Sequence, residues 1–117
     1  MSFRFSRTRR LCQASDIRRV LTAGKKIVAG DFSLKWQFRG SEAKESRLCV
    51  VARKKQVKTS AERNRMRRLV KEFFRLHAQE FKAPVDMVVQ VSNFRLIKYK
   101  EVEELFKLHL KKSGILI

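Results

Sequence analysis

The sequence predicts an α+β domain, a small sheet covered by helices, in the order helix, strands, helix, strand, helix. Three patterns predict it. Apolar residues recur at helical spacing in residues 15–23, 60–81 and 98–112. They alternate at strand spacing from Phe32 to Phe38, and they run together in the short stretches RLCVVA and DMVVQV. With 117 residues the chain has the size of a single domain, able to bury most of its apolar surface without covalent staples.

Residues 1–11 read as a basic arm, with Phe3 and Phe5 among four arginines, that either orders on a polyanion such as RNA or frays. Ser15 to Ala23 predicts a short helix. Ser15 is its expected N-cap, Asp16 favours its first turn, Ile17, Val20 and Leu21 share one face, and Gly24 stops it. Arg18 and Arg19 lie off that face, and Lys25 and Lys26 lengthen the basic surface. A weak strand near Ile27 to Ala29, or a longer hairpin, leads into the alternating strand. There Phe32, Leu34, Trp36 and Phe38 are expected inside, which leaves Ser33, Lys35 and Gln37 on the side free to meet a ligand.

The polar stretch GSEAKES forms a turn, and Arg47 to Ala52 is apolar and β-branched enough for a central strand. Arg53, Lys54, Lys55, Gln56, Val57 and Lys58 then carry the chain to the main helix. Four cations leading into a helix N-terminus suit a phosphate, the plain alternative being a solvated linker. Ser60 to Phe81 is expected as one amphipathic helix, capped by Ser60, with Glu62 in its first turn and Pro84 beyond its end. Met66, Leu69, Val70, Phe73, Leu76 and His77 fall on its apolar stripe. Asn64, Arg67, Arg68, Lys71 and Arg75 gather opposite, with Arg63 and Arg65 on the shoulders. Asp86 to Val91 reads as a strand buried on both faces. A last helix begins near Lys98 or Tyr99, with Val102, Leu105, Phe106, His109 and Leu110 as its stripe, glutamates at its start and lysines at its end.

The formal charge of +18 and isoelectric point near 11.0 make self-repulsion costly unless a polyanion neutralises it. Nucleic acid leads and a membrane surface follows, although no apolar run is long enough to span a bilayer and the basic helix lacks an interfacial anchor's broad apolar face. Few acids accompany the arginines of the main helix, and the arginine fork suits bidentate phosphate contact. The cysteines Cys12 and Cys49 form no zinc or CxxC pattern and read as reduced thiols. The N-terminal residues lack a signal peptide's apolar core, so cytoplasm is the expected compartment. Hydrolysing a phosphodiester calls for carboxylates around metals or a poised histidine. Asp16, Asp31 and Asp86 are scattered over elements that do not obviously converge, and His77 and His109 lie on apolar helix faces as core histidines do. The expectation is a chain that binds rather than catalyses.

The run R-N-R-M-R-R-L-V-K-E at Arg63 to Glu72 resembles the RNR motif of the bacterial ribonuclease P protein family, and the succession of elements matches that family over nearly the whole chain. The resemblance implies a two-layer α/β sandwich with a mixed sheet and a left-handed β-α-β crossover, against the usual hand. It implies a subunit of an endoribonuclease whose catalytic RNA removes the 5′ leader of precursor tRNA, one protein monomer per RNA. Magnesium belongs chiefly to the RNA, with no cofactor on the protein. Arg63, Asn64, Arg65, Arg67, Arg68 and the neighbouring Lys71 fall to the catalytic RNA. The leader cleft falls to Ile17, Leu21, Ser33, Lys35, Lys54 and Lys55. The chain departs from the family's pattern where Ile17 and Leu21 replace frequent aromatics, where Lys35 stands for a frequent tyrosine, and where Lys58 replaces a common glycine. Charge must then stand in for stacking along the cleft, making binding there sensitive to salt. A structural, ribosomal-type RNA-binding protein is the alternative, and it leaves the R-N-R spacing unexplained.

Overall fold

The computed structural model describes residues 11, 13–40, 43, 45–55, 57–93 and 97–116. Most of the expected N-terminal arm, Cys12, part of the GSEAKES turn and Gln56 lie outside the described residues. The elements follow the expected order: α1 (Ala14–Ala23), β1 (Lys25–Ala29), β2 (Phe32–Phe38), β3 (Arg47–Val51), α2 (Ser60–His77), β4 (Val85–Val91) and α3 (Tyr99–Lys112). The strands form one mixed sheet in the order β1-β2-β4-β3. The pairs β1/β2 and β2/β4 are antiparallel, while β3 and β4 are parallel neighbours joined through α2.

Side-chain alternation divides the sheet into two faces. Phe32, Leu34 and Trp36 of β2 oppose Val91, Val89 and Met87 of β4, and this face builds the main core with Met66, Val70, Phe73 and Phe74 of α2 and Val102, Phe106 and Leu110 of α3. Phe106 meets both Phe32 and Phe73 edge-on, with ring centroids 5.1 and 5.2 Å apart. On the other face α1 lays Ile17, Val20 and Leu21 against Val88, Cys49 and Val51. It covers only part of that face.

Several local expectations shift. Helix α1 starts two residues early, with Gln13 at the cap and no side-chain cap bond, and its first-turn Asp16 pairs with arginines described below. The cap of α2 is Thr59 rather than Ser60. Its hydroxyl accepts the Glu62 N–H at 3.1 Å while Glu62 reaches back to the Thr59 N–H at 3.3 Å, a complete capping box. The α-helix ends at His77, and a 3-10 turn over Ala78–Glu80 lets Phe81 bridge to Leu116. Phe74, eight residues after Met66 and four after Val70, joins the buried stripe in place of Leu76, which is only partly covered. Phe38 lies near the end of its strand and is 44% exposed, although its ring still meets Trp36 edge-on. Gly24 serves close approach rather than a special backbone angle. A Cβ there would sit 2.3 Å from the Val20 carbonyl oxygen and 2.9 Å from that of Trp36.

Candidate nucleic-acid interface

The basic side of α2 sits on an element anchored in the core, since four of its residues are fully buried beneath it. Asn64 and Arg68 are exposed and Arg67 and Lys71 half-exposed, and no described carboxylate pairs with any of them. Arg75 is different, being paired with Glu72 one turn back. The two shoulder arginines also hold the fold. Arg63 donates to the carbonyls of Val57 and Lys58 at 3.0 and 3.1 Å and to the Ser60 hydroxyl at 3.1 Å, which ties the basic loop to the helix start. Arg65 donates to the Ile97 carbonyl at 2.7 Å, just before α3. A guanidinium carries five N–H donors, so both keep donors in reserve.

The second region is the uncovered part of the sheet face beside α1. Ile17 and Leu21 are half-buried in the small cluster under α1 and form one wall. Ser33 stands opposite Gln90 on the sheet. Lys35 sends its ammonium 2.8 Å to the Leu21 carbonyl, one of the unpaired carbonyls at the end of α1, so it ties the helix to the sheet and leaves two donors over. Arg53, Lys54 and Lys55 are exposed in the loop between β3 and α2, where Val51, Arg53, Gln90, Val91 and Ser92 line a hollow of about 100 Å³. This loop joins the two regions. It leaves the sheet at the cleft and enters α2 at the arginine ridge.

The aspartates correct the sequence reading. Asp86 is buried, and Asp16 and Asp86 converge on shared arginines. Arg47 takes Asp86 with two bonds of 2.8 Å, Arg19 adds one of 3.0 Å, and the Nε of Arg39 lies 3.5 Å away. Asp16 completes the group through Arg19 and Arg47 at 3.5 and 3.4 Å. Hydrogen bonding to Asp86 raises the pKa of Arg47 above its ordinary value. Carboxylates so occupied by guanidinium groups are poor metal ligands, and no metal-binding group of three is found among the described residues. Spacing alone gave no sign of this cluster, because its members lie on α1, just past β2, and on β3 and β4, and meet only through strand register, Arg47 standing beside Asp86.

His77 is not a simple core histidine either. Its ring packs on Phe73 and its two nitrogens meet Glu80 and Glu103, the latter at 2.7 Å. The His77 bond holds the Glu103 carboxyl below the usual carboxylate range. Burial, with Glu103 close by, pushes the Tyr99 phenol well above its ordinary value and keeps it neutral. Cys49 is half-buried against α1, and no described helix is long and apolar enough to cross a membrane.

The family model described as Ribonuclease P matches residues 5–114. A ribonuclease P protein component from Coxiella burnetii is 39% identical over 80 residues, 68% of this chain and 64% of that relative's length. One from Dictyoglomus turgidum is 28% identical over 115 residues, 96% of this chain and 94% of the relative. Among solved structures, the RNase P protein of Staphylococcus aureus superposes with a TM-score of 0.76 at 18% identity, covering 93% of this chain and 98% of that one. That of Thermotoga maritima gives 0.73 at 24%, covering 88% and 96%. At such identities the solved structures speak for the fold.

Proposed function

The chain belongs to the ribonuclease P protein family, and on that premise we propose that it is the protein subunit of the endoribonuclease that removes 5′ leaders from precursor tRNA. The RNA subunit carries the metal-dependent chemistry and its magnesium. No residue of this chain is assigned a catalytic role. The observation that carries the reading is the ridge of Asn64, Arg67, Arg68 and Lys71, without carboxylate partners among the described residues, on a helix whose underside is core. Such a ridge neutralises phosphates without first breaking internal ion pairs.

In this reading α2 docks on the catalytic RNA, with Arg63 and Arg65 adding charge from the shoulders. The leader strand runs through the cleft between Ile17 and Leu21 on one side and Ser33 and Lys35 on the other, past Lys54 and Lys55. The protein acts by lowering repulsion between two RNAs and by fixing the leader's orientation, both of which raise the effective concentration of the scissile bond at the RNA's active site. One monomer serves one RNA, in the cytoplasm. The test adds the purified chain to a bacterial ribonuclease P RNA at low magnesium, where cleavage of precursor tRNA should rise. No gain in cleavage refutes the reading. Ribosomal RNA fragments co-purifying in place of the ribozyme would favour a structural RNA-binding role instead.

A further inference from the structure

We infer that the hollow between α2 and the start of α3, lined by Arg65, Arg68, Leu69, Glu72 and Tyr99, receives an unpaired base of the RNA that lies along α2. The inference rests on the reading above and adds a base contact to a ridge otherwise suited to phosphates. The hollow holds about 310 Å³. Its α2 residues are spaced three, four and seven apart from Arg65, so they share one strip of that helix.

Three of the lining groups are already bonded, and what remains free is a base-binding set. The Tyr99 hydroxyl donates to Glu103 at 3.2 Å, which leaves the ring as the part offered to a ligand. Glu72 is paired with Arg75, so the hollow is not a vacant cation site. Arg65 is folded across to the Ile97 carbonyl and forms a fixed wall. Arg68 is exposed with no described partner, and Leu69 is half-buried as the apolar floor. An aromatic ring, an aliphatic surface and a planar guanidinium are the groups on which single-stranded bases stack. Charge selects the occupant. A notch rimmed by arginines, on a chain of net charge +18 and beside Arg67 and Lys71, favours a strand whose phosphates meet the ridge while one base turns inward.

The test compares Tyr99→Leu and Tyr99→Phe with the unmodified chain in binding a bacterial ribonuclease P RNA across a salt series. Tyr99→Leu keeps apolar bulk and loses the flat ring, so affinity should fall roughly 5- to 100-fold with no change in the slope of log K against log salt. Tyr99→Phe keeps the ring and should bind like the unmodified chain. Arg67→Ala, outside the hollow, serves as contrast, its slope falling by about 0.7 to 0.9 for one lost phosphate contact. Undiminished binding by Tyr99→Leu overturns the inference while leaving the family reading intact. An unmodified chain that fails to bind the RNA takes both down. Equal weakening by Tyr99→Leu and Tyr99→Phe assigns the effect to the Glu103 bond and also overturns it. Should Tyr99→Leu fold poorly, the unmodified protein decides the matter, because Tyr99 is its one tyrosine. Nitration of that ring should be suppressed when the RNA is bound, and unchanged nitration overturns the inference.

Discussion

Asp86→Asn removes one negative charge from the floor of the arginine cluster and leaves three guanidinium groups facing an amide. The carboxylate is 2% exposed and accepts three hydrogen bonds of 2.8 to 3.0 Å, two of them from Arg47. Breaking a buried pair by removing one partner costs about 3 to 5 kcal/mol, chiefly through the charge left behind. Here the orphaned charges are not sealed in, since the side chains of Arg47, Arg39 and Arg19 are 20, 24 and 51% exposed. Water therefore recovers part of their solvation, and the cost should fall at the lower end, about 3 kcal/mol. For a domain of this size that lowers the melting temperature by roughly 10 to 15 °C. Thermal and urea unfolding at neutral pH measure it. Arg47→Gln placed in the Asp86→Asn background should then cost far less than Arg47→Gln alone, because the two residues act as a unit. A loss below about 1 kcal/mol, or single costs that simply add, would show that the cluster does not anchor α1 and the sheet as described.

Four further outcomes are expected. Arg67→Ala should weaken RNA binding and lower its salt slope by about 0.7 to 0.9, while stability moves by no more than about 0.5 kcal/mol; an unfolded variant that still binds would reverse the two sides of α2. Phe73→Ala should cost about 3 to 5 kcal/mol in chemical denaturation, as expected of a buried aromatic packed on Phe106 and His77. Arg63→Lys keeps the charge but cannot span the Val57 and Lys58 carbonyls and the Ser60 hydroxyl together. Amide exchange in the preceding loop should accelerate, and exchange at the unmodified rate would remove Arg63's structural role. Glu103 is held below its ordinary value of 4.5 by His77. A depressed folded-state value means its stabilisation is complete above about pH 4.5 and is lost as pH falls through the folded value. Glu103→Gln should flatten that acid limb of the melting curve, and an unchanged limb would remove Glu103 as its source.

Much of this architecture was legible because its signals are local. Alternation in Phe32–Phe38 fixed which residues of β2 face the core, and the spacing of Met66, Val70 and Phe73 fixed the buried side of α2, hence the side that carries Arg67 and Arg68. What escaped depended on pairing between distant segments. The convergence of Asp16 and Asp86 on Arg47 requires the register of β3 on β4 and the placement of α1 across them. The tie from Lys35 to Leu21 requires knowing where α1 ends over β2. Phe74 fills the place expected of Leu76 because Met66, Val70, Phe73 and Phe74 keep the i, i+4, i+7, i+8 spacing of a single helical stripe, and the ring of Phe81 that covers Phe74 comes from beyond the helix. Tyr99 drew no notice beyond starting a helix, since its partners on α2 are some thirty residues earlier.

The glycine at position 24 sets a fixed gauge for the channel beside α1. With the carbonyls of Val20 and Trp36 so near, even a methyl group there would lever the helix off β2 and lengthen the Lys35 strut. Mutation can therefore alter the lining of that passage at Ile17, Leu21 or Ser33 while its breadth stays constant. Under the proposed function, preference for one RNA strand over another can drift without retooling the frame that holds it.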